Sequence, residues 1–162
     1  RILPCSWKLA YVVPVFKKNS KSNPANYCPV SLLSILSKVM EGIVNSQVVN
    51  HLERNRLLAD NQYGFRRGRG TADVLTALQN EWVQAVANGG SAQMIAVDIA
   101  GAFDRVSHTG LLYKAERAGI RGTLLTWLQD YLHSRQLKVV VSGQASSAQP
   151  ITAGVPQGSI LG

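Results

Sequence analysis

The residues best placed to do chemistry lie in one acidic block and two basic loops. Asp98 follows the apolar run Met94-Ile95-Ala96-Val97, which reads as a short buried strand. A carboxylate at the end of such a strand belongs at a cleft rather than in a core. There it could hold a divalent cation; taken alone, an Asp in that place is more often a loop hydrogen-bonder. Lys17 and Lys18 open the polar loop 17–24. They offer charge-assisted contacts to phosphate, although an exposed lysine pair is commonly just solvated. In 61–70, Arg66, Arg67 and Arg69 alternate with glycines, giving a loop with a strong positive field. Such a loop is suited to phosphates, and Tyr63 and Phe65 could stack on nucleotides.

The whole chain has 162 residues, 46% of them hydrophobic and 16% charged, which fits one globular domain and excludes wholesale disorder. Its net charge of +8 is uneven: residues 1–70 carry eleven Lys/Arg against three Asp/Glu, and residues 71–162 carry six against six. The basic excess on the N-terminal side points to a polyanionic partner. The most apolar windows are strand-sized, so no membrane partner is expected. Cys5 and Cys28 lack metal-ligand spacing and are expected to be free thiols. His51, His108 and His133 are scattered, and His108 reads as a turn residue. No Ser–His–Asp arrangement follows from the spacing.

Several elements must position these groups. Trp7–Phe16 is β-rich. A long helical pattern follows Pro29, with Ser31 as its N-cap and the stripe Leu33, Leu36, Met40, Ile43 or Val44, Val48, Leu52 as its core face. Thr71 is expected to cap a second helix whose core stripe is Leu75, Leu78, Trp82 and Val86, stopped by Asn88-Gly89-Gly90. Helices are predicted over 111–118 and 124–132, a strand over 137–141, a turn at Gly143-Gln144 and an antiparallel return over 147–152. Helices interleaved with hairpins make the class α+β.

Four blocks together carry more than any residue alone: Asn26-Tyr27-Cys28-Pro29-Val30-Ser31-Leu32-Leu33, then Asn61 to Thr71, then Asp98-Ile99-Ala100-Gly101-Ala102-Phe103-Asp104-Arg105-Val106, and finally Gly154-Val155-Pro156-Gln157-Gly158-Ser159-Ile160-Leu161-Gly162. In this order they resemble the fingers and palm motifs of reverse transcriptases, in particular those of jockey-like non-LTR retrotransposons. The resemblance implies a right-hand polymerase fold, with residues 1–90 mainly fingers and 91–162 mainly the N-terminal palm. It further implies a fragment that stops before the family's metal-binding Asp-Asp hairpin and is catalytically inactive by itself.

The resemblance also implies roles. Nucleotidyl transfer uses two divalent ions about 4 Å apart; Asp98 and the Ile99 carbonyl would ligate Mg²⁺ or Mn²⁺, with triphosphate oxygens completing the shell. Phe103 matches the aromatic wall beneath the incoming sugar, which excludes a 2′-hydroxyl; its plain reading is a core aromatic. Gly101 and Ala102 would present N–H groups to the triphosphate, Gln157 would touch the incoming nucleotide, and Lys17 or Lys18 would close over the phosphates. Arg66, Arg67 and Arg69 would meet the template. Asp104 is expected to be structural. The implied partners are an RNA template, a DNA primer or target, and deoxynucleoside triphosphates. Cys28 departs from the family, which places Arg there; Gly70 and Gly101 are milder departures. The competing readings are a catalytically inactive, nucleic-acid-binding module or decayed element copy, and an unrelated basic RNA-binding domain.

Overall fold

The computed structural model describes residues 3–162. They divide into two compact units, one formed by residues 3–51 and 100–162 and the other by Leu52–Ile99.

The first unit is built on a mixed sheet. Strand β1 (Leu9–Phe16) turns through the lysine-bearing loop into β2 (Tyr27–Leu32), and the two pair antiparallel with Val15 opposite Cys28 and Phe16 opposite Tyr27. Pro14 faces Pro29 in this ladder. Neither proline can donate, so that pair must be one that exchanges no hydrogen bonds. On its other side β1 runs parallel to β3 (Gln136–Val141), which pairs antiparallel with β4 (Gln144–Ala145) and β5 (Gln149–Pro150). The β3–β4 turn rests on Gly143, whose φ of +79° suits glycine.

Helix α1 (Ile35–Arg54) leaves this sheet and ends in the second unit. It starts later than the sequence predicts, because Ser31 is a strand residue. Ser31 is buried in β2 and donates its N–H to Gln157 O at 3.0 Å, so it cannot cap a helix. The predicted stripe holds at Val44, which is buried, and at Val48, which packs on the core, but fails over its first half. Leu36, Met40 and Ile43 are exposed, and the buried face runs through Ser37, Glu41 and Val44. The Ile160 N–H, which reaches Glu41 from outside the helix, holds this polar face inward.

Helices α3 (His108–Arg117) and α4 (Gly122–Leu132) match the two predicted helices. Ser107 caps α3 by accepting the Gly110 N–H at 3.2 Å. Trp127 and Tyr131 stack at 5.4 Å and, with Leu3, Val44 and Leu132, make the core on which Trp7, Leu124, Leu128, Val155 and Leu161 pack. Large side chains buried in this way contribute about 1.5–3 kcal/mol each. Asp130 ties the N-terminal segment to α4, accepting the Leu3 N–H and the Lys8 ammonium, each at 2.8 Å.

The second unit holds α2 (Thr71–Ala87) and the arginine loop. The N-cap is Gly70 rather than Thr71, and Asp73 supplies the side-chain acceptor, taking the Gly70 N–H at 2.6 Å. The stripe predicted as core is not buried: Leu75, Trp82 and Val86 are exposed, since α2 is the one complete helix in this unit and has no second element there to pack against. The strand predicted at Met94–Val97 is likewise absent. That run pairs with no strand among the described residues, and Ile95 and Val97 are 91% and 88% exposed. An apolar sequence alone does not make a strand, because its N–H and C=O groups need a ladder partner. The mixed helix and sheet content bears out the α+β class. Among the described residues, no helix is long and apolar enough to cross a membrane.

Candidate functional site

Residues 100–106 of the acidic block meet the C-terminal Gly-rich run within the first unit. Residues 100–102 turn sharply: Gly101 has φ +63°, Ala102 is right-handed, and the Asp104 N–H returns to Gly101 O at 3.0 Å. A left-handed residue followed by a right-handed one is a backbone pattern found in anion-binding concavities. The side chains of Asp104 and Arg105 lie beside it. Phe103 to Arg105 form a 3-10 turn with Phe103 half-buried. Asp104 lies within this turn, and Ser107 caps the helix that follows.

Two short backbone bonds join this turn to the Gly-rich run: Val155 N–H donates to Phe103 O and Gly154 N–H to Val106 O, both at 2.8 Å. The approach leaves no room for a side chain at 154. Gly154 has φ +84°, and a Cβ there would stand 2.8 Å from the carbonyl oxygens of both Phe103 and Asp104. The run continues to Gln157, whose carbonyl is held by Ser31 of β2 and whose Oε1 lies 3.7 Å from Cys28 Sγ, within reach of the weak thiol donor. Beside these contacts opens a cleft of about 550 Å³. Ala10, Val12, Leu137 and Val139 form its apolar floor, and Asp104, Ser31 and Gln157 contribute polar atoms. Its size falls within the range of small-molecule sites.

Sequence reasoning missed two buried charged groups, of which Glu41 fixes this run. Glu41, 1% exposed, accepts hydrogen bonds from Ser37 Oγ and from the Ile160 N–H, both at 2.9 Å, and so anchors the Gly-rich run to α1. Arg135, also 1% exposed, lies 4.7 Å from the Tyr131 ring centroid and donates to Tyr131 O at 3.1 Å. Burial lowers the Arg135 pKa and raises that of Tyr131. Arg135 Nε and Nη2 find no partner among the described residues. The available signal was a charged residue, Glu41, on the same helical face as Val44 and Val48; apolar patterning discards it.

The other predicted residues are placed as follows. Lys17 and Lys18 are exposed at the mouth of the β1–β2 hairpin, where Lys17 N–H donates to Asn26 O at 2.9 Å. The hairpin is braced by Phe16 and Tyr27, edge to face at 5.5 Å, by Lys21 over Phe16, and by Tyr27 OH donating to Lys21 O. In the second unit the three arginines differ. Arg66 makes a two-pronged ion pair with Glu53 at 2.6 and 2.8 Å and donates to Ala59 O. Arg69 donates to Asp60 O and lies over the Tyr63 ring. Arg67 is exposed. The Arg66 hydrogen bond holds the Glu53 carboxyl below its usual range, and the pair raises Arg66 in return. Asp98 and Ile99 close the second unit and are exposed.

Among the described residues no group of three or more His, Cys, Asp or Glu could enclose a metal ion. Asp98 and Ile99 offer one carboxylate and one carbonyl, oxygen donors of the type an octahedral shell takes, which commonly uses one or two carboxylates and fills the rest from water and phosphate. They do not by themselves make a two-ion site.

The chain is a member of the reverse transcriptase (RNA-dependent DNA polymerase) family, whose model matches residues 16–162. It is 37% identical over 160 residues to the RNA-directed DNA polymerase from mobile element jockey of Drosophila melanogaster, covering 98% of this chain and 17% of that protein. It is 34% identical to the probable RNA-directed DNA polymerase from transposon BS and 32% identical to that from transposon X-element, both of the same fly; these matches cover 100% and 98% of this chain. The chain thus spans less than a fifth of the length of each of these relatives. The expected likeness to jockey-type retrotransposon polymerases is borne out.

Proposed function

We propose that this chain forms the fingers, residues 1–90, and the N-terminal palm, residues 91–162, of a right-hand RNA-directed DNA polymerase that copies a retrotransposon RNA onto a DNA primer. The observation that carries this reading is the junction of the Phe103 turn with the Gly154–Gln157 run. Two segments expected from separate motifs to touch one incoming nucleotide are joined backbone to backbone beside an open cleft.

Within that reading the residues divide the work. The Phe103 ring stands under the sugar and excludes a 2′-hydroxyl by contact. The N–H groups of Gly101 and Ala102 receive triphosphate oxygens, and Lys17 or Lys18 adds a mobile positive charge at the hairpin tip. Gln157, its backbone carbonyl fixed by Ser31, contacts the nucleotide. Arg67 meets template phosphates directly. Arg66 and Arg69 shape the loop that carries it, and their charges act on the template from that loop. Asp98 and the Ile99 carbonyl would hold Mg²⁺ or Mn²⁺; a divalent ion there supplies activation of the primer hydroxyl and charge neutralisation at the phosphates.

Cys28 favours a second reading, an element copy that binds nucleic acid without copying it. The thiol contacts Gln157, where the family's arginine would present a permanent planar charge. Template-dependent primer extension by the full-length protein separates the two. Extension by the natural sequence, abolished in Asp98→Ala, is the expected result. Extension that survives Asp98→Ala would overturn the metal assignment, and extension only after Cys28→Arg would establish the binding module.

A further inference from the structure

His108 is left over from the chemistry just described, yet its ring has a specific partner. It occupies the first turn of α3, with Nε2 2.7 Å from Gly154 O. A carbonyl can only accept, so Nε2 carries the hydrogen and donates. Both polar groups of Gly154 are therefore engaged, its N–H by Val106 O and its C=O by His108, while Val155 N–H holds Phe103 O. Gly154 is buried, and its missing Cβ is what lets the Phe103 and Asp104 carbonyls approach. Ser107, capping the same helix, fixes where the imidazole starts.

We propose that His108 is a positioning residue for sugar selection. Through the Gly154 carbonyl it sets the Phe103 turn at a fixed distance from the Gln157 run, and so determines how strongly deoxynucleotides are preferred over ribonucleotides. This rests on the reading of Phe103 as the wall beneath the incoming sugar. Steric exclusion works only at a held distance, since non-bonded contacts change steeply over a fraction of an ångström. The residue that holds the distance then shares in the selectivity without touching the nucleotide.

The test uses the full-length protein on an RNA template with a dideoxy-terminated DNA primer, so that binding is measured without turnover. Affinities for dGTP and GTP opposite a template cytosine give a selectivity ratio. Hydrogen exchange at the Gly154 and Val155 amides reports the clasp itself. His108→Ala should lower the ratio by about two- to tenfold, the range for loss of one hydrogen bond, and should speed exchange at both amides. His108→Gln, which keeps a donor of similar reach, should restore most of both. Phe103→Val should lower the ratio further, and adding His108→Ala to it should change little, because His108 acts through the ring.

A ratio unchanged in His108→Ala while exchange rises would overturn the inference and leave His108 a purely structural clasp. The inference is equally overturned if Gln fails to rescue while Phe103→Val behaves as expected. If Phe103→Val itself leaves the ratio unchanged, the wall assignment fails first and the inference falls with it. Absence of dGTP binding by the natural protein would overturn the polymerase reading instead.

Discussion

The two units solve the same problem, holding a glycine-rich loop in place, by different means. In the first, the Gly154–Ile160 run is tied to partners far away in sequence: Phe103, Val106 and His108 on one side, Ser31 and Glu41 on the other. Gly154 and Glu41, at the two ends of that run, are buried. In the second, the arginine loop is held by Glu53, Ala59 and Asp60, none more than 13 residues from the arginine it binds. A non-local clasp fixes the geometry between distant segments, which a nucleotide site needs. A local brace fixes a loop's shape and leaves its outward charge accessible, which suits a backbone that must slide past.

The comparison breaks most sharply at Gly154. Gly154→Ala forces a Cβ to within 2.8 Å of two carbonyl oxygens at a left-handed backbone, so it should cost about 2–5 kcal/mol, strain and overpacking together. Urea unfolding measures this, and a cost below about 1 kcal/mol would mean the run can shift away from the Phe103 turn. Glu41→Ala comes next. It strands the Ile160 N–H and the Ser37 hydroxyl, with an expected loss of about 1.5–3 kcal/mol. Glu41→Gln keeps an acceptor for Ile160 and should lose less; if the two variants are equally destabilised, the charge rather than the hydrogen bond holds the run.

Much of this architecture was legible where one local rule sufficed. The α3 and α4 helices, the stop at Asn88-Gly89-Gly90 and the Gly143 turn all follow from local patterning or from a residue that tolerates positive φ. Reading failed where tertiary partners overrode the pattern. Ser31 looks like a helix cap, yet its N–H is claimed by Gln157 and its strand by β1. Leu36 and Met40 look like core, yet the Ile160 N–H bound to Glu41 holds the other face of α1 inward. Met94–Val97 looks like a strand, yet a strand is a relation between two segments and one segment cannot declare it. At the site, the motifs named Phe103 and Gln157, whereas His108 and Glu41 carry their importance only in which backbone atoms they reach.

The local brace of the second unit should respond to acid. Glu53 titrates below its usual value near 4.5 when folded, so its contribution is fully present above that value and is lost as pH falls through the lower, folded one. As pH falls below about 4.5, the natural chain should therefore lose protection of the 59–70 loop in hydrogen exchange, and Glu53→Gln should already show the acid behaviour at neutral pH. The effect is modest because the Glu53 side chain remains about a third exposed, and solvent there screens the pair. An equally large acid response at Gly154 would erase the distinction between brace and clasp.

The smallest effect is expected at Ile95. With 91% of its surface exposed, Ile95→Thr removes no buried area, and its cost should stay within about 0.5 kcal/mol in urea unfolding of this chain. The same substitution in the full-length protein gives the informative contrast. If it costs about 1 kcal/mol or more there, roughly the transfer free energy of newly buried apolar groups, the Met94–Ile99 run finds a ladder partner outside this chain, and Asp98 then stands at the end of a real strand. If the cost stays small in both, Asp98 is carried on unpaired backbone, and the rigidity that a metal-holding carboxylate requires must come from the ion and the triphosphate themselves.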